Sequence, residues 1–167
     1  MLFADVRGYT SLTETMAAAD VPAVVNRFYT TASAALLANG GLLAQIAGDQ
    51  VMALFVPGLA GKHYQAQAAE GGLELLRKVE FLEIGVGVAS GDQFVGNVGG
   101  GGYKDFTSVG DVTNTAARLT AKAAAGELLV DAATYEAVAG RHPEAERRTL
   151  ELKGKAEPVE AYVLAGP

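Results

Sequence analysis

A chain of 167 residues, half of them hydrophobic and 19% charged, is long enough to bury a core and too apolar to be a disordered or fibrous chain. Its net charge of −6 argues against nucleic acid or an anionic membrane as partner, although a nucleotide fits if metal ions and a few basic side chains meet its charge locally. It has no cysteine, which excludes disulfides, thiolate catalysis and cysteine-based zinc sites and fits a cytoplasmic setting; no run reaches membrane-spanning length and no signal peptide precedes the first strand.

The first predicted element is a short apolar strand, Leu2-Phe3-Ala4, ending on Asp5. It is short for a central strand, which suggests truncation or a catalytic piece of a longer chain carrying upstream regulatory elements. A helix follows over 10–18, with Thr10 or Ser11 as its expected cap. Asp20 and Pro22 restart the chain as a helix over 22–38, where Val24, Val25, Phe28, Ala32, Ala35 and Leu36 recur at helical spacing. Asn39-Gly40-Gly41 stops it. Strands over 42–46 and 51–55 flank Gly48-Asp49, a hairpin signal. A loop over 57–61 leads to a helix over 62–78.

A strand over 81–89 then carries Ile84, Val86 and Val88 on one face, with 94–98 as its expected hairpin partner. The four glycines 99–102 read as a flexible surface loop. An extended piece over 103–109, a helix over 111–124, a strand over 126–130 and a helix over 131–139 capped by Asp131 follow. Strands over 147–152 and 159–164 close the chain. This order predicts one α+β domain over 1–167, with helices packed on a mainly antiparallel sheet.

Three segments carry chemistry. Asp5 stands at a strand end beside Gly8, Tyr9 and Thr10, whose backbone N–H groups at a helix start can point at an anion. A carboxylate beside such a cradle suggests Mg²⁺ carrying phosphates. Asp49, at the hairpin tip, is expected near Asp5, and two adjacent carboxylates can clamp two metal ions for phosphoryl or nucleotidyl transfer. Asn114 and Arg118 are four residues apart on one helical face and suit sugar and triphosphate recognition. Each segment alone also reads as an ordinary feature: a strand-to-helix turn, a solvated hairpin aspartate, an N-capped amphipathic helix.

Together, FADVRGYTSLTE, AGDQVMALF, GVGVASGDQFVGNVG, FTSVGDVTNTAARL and LKGKAEPVEAY resemble, in order and over nearly the whole chain, the catalytic domain of class III nucleotidyl cyclases, the adenylyl and guanylyl cyclases. The resemblance implies a ferredoxin-like, palm-type α+β fold and a head-to-tail homodimer with two active sites at the interface. It assigns Asp5 and Asp49 to two Mg²⁺ or Mn²⁺ ions, and Asn114 and Arg118 of the opposite subunit to ribose orientation and transition-state stabilisation. Either Lys153 or Lys155 would contact the phosphates. In the implied reaction the ribose 3′-oxygen attacks the α-phosphorus of ATP and pyrophosphate leaves. Base selection falls on Gln45 and Thr107. The Thr107 hydroxyl suits the adenine amino group, whereas the Gln45 amide can donate to adenine N1 or accept from guanine N1–H, so ATP is favoured over GTP with modest discrimination.

Neither His63 nor His142 falls in a matching motif, and both read as surface residues. Gln45, the short first strand and the glycine run keep open a nucleotide-binding regulatory domain without turnover. A diguanylate cyclase ranks last, for lack of a Gly-Gly-Asp-Glu-Phe segment.

Overall fold

In the computed structural model, residues 1–102, 104–155 and 157–165 are described. Alternation along the first strand, β1 (Leu2–Val6), divides the interior in two: Leu2, Ala4 and Val6 enter one buried cluster and Phe3 the other. The remaining strands are β2 (Leu42–Ala47), β3 (Gln50–Leu54), β4 (Ile84–Val88), β5 (Phe94–Val98), β6 (Asp105–Val109), β7 (Glu127–Asp131), β8 (Glu146–Leu150) and β9 (Val159–Ala165). Seven of them form a sheet in the order β2-β3-β1-β4-β7-β9-β8, antiparallel throughout except where β4 runs parallel to β7. This is the expected α+β architecture.

The helices are α1 (Tyr9–Thr15), α2 (Val21–Ala38), α3 (Pro57–Ala60), α4 (Tyr64–Lys78), α5 (Asp111–Lys122) and α6 (Ala132–Glu136). On one face of the sheet, α2 and α4 bury Phe28, Ala32, Leu36, Ala69 and Leu75 against Leu2, Ala4, Val86 and Val88. On the other, α5 buries Ala116 and Leu119 against Phe3, Met52 and Leu129.

The glycines of β4 decide how close α5 comes. Ile84, Val86 and Val88 point into the α2–α4 core, as their spacing predicts, which leaves Gly85 and Gly87 on the α5 side. A methyl at Gly87 would lie 2.6 Å from the Ala116 carbonyl oxygen, so the backbone of α5 rests directly on the strand. A methyl at Gly85 would meet the Arg7 guanidinium, 2.7 Å from Nε.

Several expectations change. The strand over 94–98 does not pair with β4, because β1 and β7 occupy both edges of β4; β5 pairs instead with β6 as a separate two-stranded ribbon. Gly99, Gly100, Gly101 and Gly102 are exposed within the connection between those strands, as expected of a surface loop, and Tyr103 lies outside the described residues. The predicted loop over 57–61 contains α3, and a 3₁₀ turn, Gly61–His63, precedes α4. Asp131 caps α6 as predicted, accepting from the Thr134 N–H at 2.9 Å, whereas Asp20 flanks α2 without a side-chain cap.

Gly87→Ala is expected to destabilise the fold by about 1–3 kcal/mol, because the added methyl meets backbone that cannot yield without moving α5. Urea unfolding would measure it, and an unchanged midpoint would contradict the close approach.

Candidate active site

The end of β1 and the β2–β3 turn converge. Asp5 lies in register with Gln50 of β3 on one side and Gly85 of β4 on the other. The Val6 N–H donates to the Asp49 carbonyl at 3.1 Å, fixing the Gly48-Asp49 turn to β1. The two carboxyl groups meet. Burial first, and then the negative charge of Asp49, push the Asp5 carboxyl above the usual carboxylate range, while the Arg7 guanidinium, 3.7 Å away, pulls it back. Two like-charged groups that Arg7 relieves only in part could hold a cation. Among the described residues no group of three or more His, Cys, Asp or Glu could hold a metal, so this pair leaves the remaining coordination to other oxygens. That donor set suits Mg²⁺ or Mn²⁺ carried with phosphates better than a fully protein-caged ion.

Beside the pair, Gly8 adopts a left-handed conformation (φ 65°) and helix α1 starts at Tyr9. Neither Thr10 nor Ser11 caps it; both lie inside the first turn, because the glycine bend brings the helix start forward. Among the described residues no side chain caps the N–H groups of this turn, and the space over Gly8 is open.

A second group assembles on the outer face of α5. Asn114 is exposed and Arg118 half-buried, one turn apart. The Arg118 guanidinium lies against the β8–β9 connection, where a methyl at Gly154 (φ 78°) would stand 3.1 Å from Nη2. The Lys155 ammonium pairs with the Asp111 carboxylate in the first turn of α5, so it is already engaged within the chain. Lys153 is exposed, and among the described residues neither it nor Arg118 has a carboxylate partner. Ala156, in the same connection, lies outside the described residues.

Polar bonds that sequence reasoning missed tie the two groups to one frame. Arg7 donates from Nη2 to the Thr120 carbonyl at 2.8 Å, and the Thr120 hydroxyl reaches the Phe3 carbonyl at 3.2 Å. Residues two before and two after Asp5 are thus fastened to one residue of α5. Gln93, in the loop before β5, accepts from the Thr113 N–H at 3.0 Å and so caps the start of α5. The alternating glycines of β4 were the one sequence signal of this close packing; Gln93 offered none.

The chain matches known proteins over nearly its whole length. The family described as the adenylate and guanylate cyclase catalytic domain matches residues 1–166. The chain belongs to that family. It is 29% identical over 177 residues to the terminal-differentiation-specific adenylate cyclase of Dictyostelium discoideum, covering 97% of this chain and 8% of that protein. It is 32% identical over 174 residues to an uncharacterised protein of Mycobacterium tuberculosis, covering 95% of this chain and 31% of that one. The chain therefore spans a small part of either relative. Among solved structures, the guanylyl cyclase Cya2 is similar with a TM-score of 0.89 at 27% identity, covering 99% of this chain and 90% of that one. The adenylyl cyclase CyaB from P. aeruginosa is similar with a TM-score of 0.88 at 28% identity, covering 99% and 93%.

In this cyclase domain the two base-selecting candidates stand on neighbouring elements. Gln45 is exposed on β2, just after a register shift between Leu43 and Gln45, and half-buried Thr107 lies opposite Gly96 on β6, which contacts β2. His63 is exposed and His142 half-buried, with the Tyr135 hydroxyl donating to the His142 carbonyl at 3.1 Å. Among the described residues no helix is long and apolar enough to cross a membrane.

The raised Asp5 pKa has a consequence for stability. The fold favours the protonated carboxyl, so the stability Asp5 contributes at acidic pH is lost as pH rises through its folded-state value. At neutral pH without divalent ions, Asp5→Asn is therefore expected to melt at or above wild type, with the difference closing near about pH 4. Added Mn²⁺ should raise the melting temperature of wild type and leave that of the variant unmoved. Scanning calorimetry across pH, with and without Mn²⁺, would check both signs.

Proposed function

We propose that this cyclase domain acts as a single homodimeric catalytic unit that converts ATP to 3′,5′-cyclic AMP and pyrophosphate. The observation that carries the reading is the meeting of the Asp5 and Asp49 carboxyls beside an uncapped helix start. Asp5 and Asp49 would hold two Mg²⁺ or Mn²⁺ ions, which when bound supply Lewis acidity toward the phosphates and the attacking hydroxyl. The N–H groups of Gly8, Tyr9 and Thr10 receive phosphate oxygens. The 3′-oxygen forms a bond to the α-phosphorus, its proton passes to solvent water, and the bond to the pyrophosphate oxygen breaks. Asn114 orients the ribose, and Arg118 and a lysine take up the charge that develops on the phosphates. Lys153 is the better candidate of the two lysines, because Asp111 already neutralises Lys155. Thr107 accepts from the adenine amino group, and the neutral Gln45 amide gives the base modest discrimination.

One observation supports the dimer: the β5–β6 ribbon exposes Phe94, Val98, Phe106 and Val109, and nearby β2 exposes Ile46, an apolar surface suited to burial against a second chain.

The test supplies ATP and GTP separately with Mn²⁺ at high protein concentration and identifies products by mass spectrometry. Cyclic AMP from ATP is expected; cyclic GMP as the main product would reverse the base assignment, and binding without product would leave a regulatory nucleotide-binding domain. Asp49→Ala and Arg118→Ala are each expected to be inactive. Their equal mixture should recover about a quarter of wild-type activity, because half of the randomly formed dimers then carry one intact site. Lys153→Ala should lower kcat/KM at least about tenfold, and Lys155→Ala less.

A further inference from the structure

The Asp49 carboxylate belongs to a two-residue turn that the Ala47–Gln50 pairing of β2 and β3 closes, with Gly48 exposed. A methyl at Gly48 would touch nothing within 4 Å, so no side-chain packing pins it from outside. Beyond the strand pairing it has two tethers among the described residues. One is the Val6 N–H on the Asp49 carbonyl, at 3.1 Å. The other comes from α2: the Tyr29 hydroxyl donates to the Gly48 carbonyl. Tyr29 is well placed to bear on the turn, because its neighbour Phe28 is 1% exposed in the α2–α4 core, with the two ring centroids 6.0 Å apart. Meanwhile Arg27 stacks on the Phe81 ring at 3.8 Å and fixes the same turn of helix from the other side.

We infer that Tyr29 is a positioning residue for the cation site, holding the Gly48-Asp49 turn so that the Asp49 carboxylate stays beside Asp5. The inference rests on the reading of Asp5 and Asp49 as cation ligands. Its physical basis is the repulsion between the two carboxylates. Before a cation arrives, a free turn would swing outward and separate the charges, and each binding event would then have to reorder it. The hydrogen bond from α2 keeps the pair assembled in advance.

Tyr29→Phe removes the donor and keeps the ring. In the full chain, with Mn²⁺ alone titrated and free Mn²⁺ followed by electron paramagnetic resonance, the dissociation constant should rise about threefold to tenfold, the scale of one neutral hydrogen bond. The melting temperature without metal should stay within about 2 °C of wild type. Amide exchange should quicken at Asp49 and Gln50 and stay unchanged in α2 and β1. Wild-type Mn²⁺ affinity in the Phe variant would overturn the positioning role alone. A weaker affinity accompanied by a large fall in melting temperature would also overturn it, because the ring would then be serving the fold. If wild type itself binds no Mn²⁺, the cation site falls and the positioning role with it. Asp49→Asn, in which the ligand itself is lost, sets the scale of full disruption.

Discussion

The close approach of α5 to the sheet is the contact on which the rest depends. Gly87 lets the backbone of α5 lie on β4, and Thr120 then reaches the strand beside it, accepting from Arg7 and donating to Phe3. A side chain at Gly87 would lift the helix and break both bonds together. Because Phe3 and Arg7 bracket Asp5, the same contact that seats the helix carrying Asn114 and Arg118 also fixes the strand end that carries the acidic pair. The polar bonds replace packing that two glycines cannot supply, and Arg7 occupies the space that Gly85 leaves open.

Against this rigid frame the acidic pair is a place of stored electrostatic cost. Asp5 is partly buried beside another carboxylate, with Arg7 offsetting only part of the repulsion. A fold selected for stability alone would not keep two such groups together. Their assembly makes sense where a divalent cation and its phosphates complete the charge balance, a trade of stability for function. The means of holding them differ: Asp5 sits within a strand paired on both sides, whereas Asp49 sits on a turn tied by one backbone bond and one phenol.

The basic group stands apart. Lys155 and Asp111 neutralise each other while Lys153 and Arg118 have no carboxylate partner among the described residues, and the Gly154 bend brings the loop that carries the lysines against the arginine. With an apolar ribbon exposed at the edge of the molecule, the chain presents an acidic pair, a basic group and an apolar surface. The family to which it belongs includes enzymes acting on either purine nucleotide, as the likeness to both a guanylyl and an adenylyl cyclase reflects.

Much of this was legible in the residues. Hydrophobic period, turn chemistry and two aspartates, Asp5 at a strand end and Asp49 beside Gly48, pointed to the α+β class, most elements and the acidic pair, because these depend on local propensity and spacing. Local signals also misled. The strand 94–98 reads as a hairpin partner of β4, yet its pairing depended on β1 and β7 having already filled both edges. The cap position given to Thr10 or Ser11 fell to a left-handed Gly8, which starts the helix at Tyr9, a residue earlier than expected. The two lysines are indistinguishable by spacing, and only the approach of Asp111, 44 residues from Lys155 along the chain, separates them. The residues and their spacing were enough to point to the cyclase family and to bring Asp49 near Asp5. Tertiary structure alone paired Arg7 with Thr120, Tyr29 with Gly48 and Lys155 with Asp111, because those contacts depend on long-range packing that no local pattern encodes.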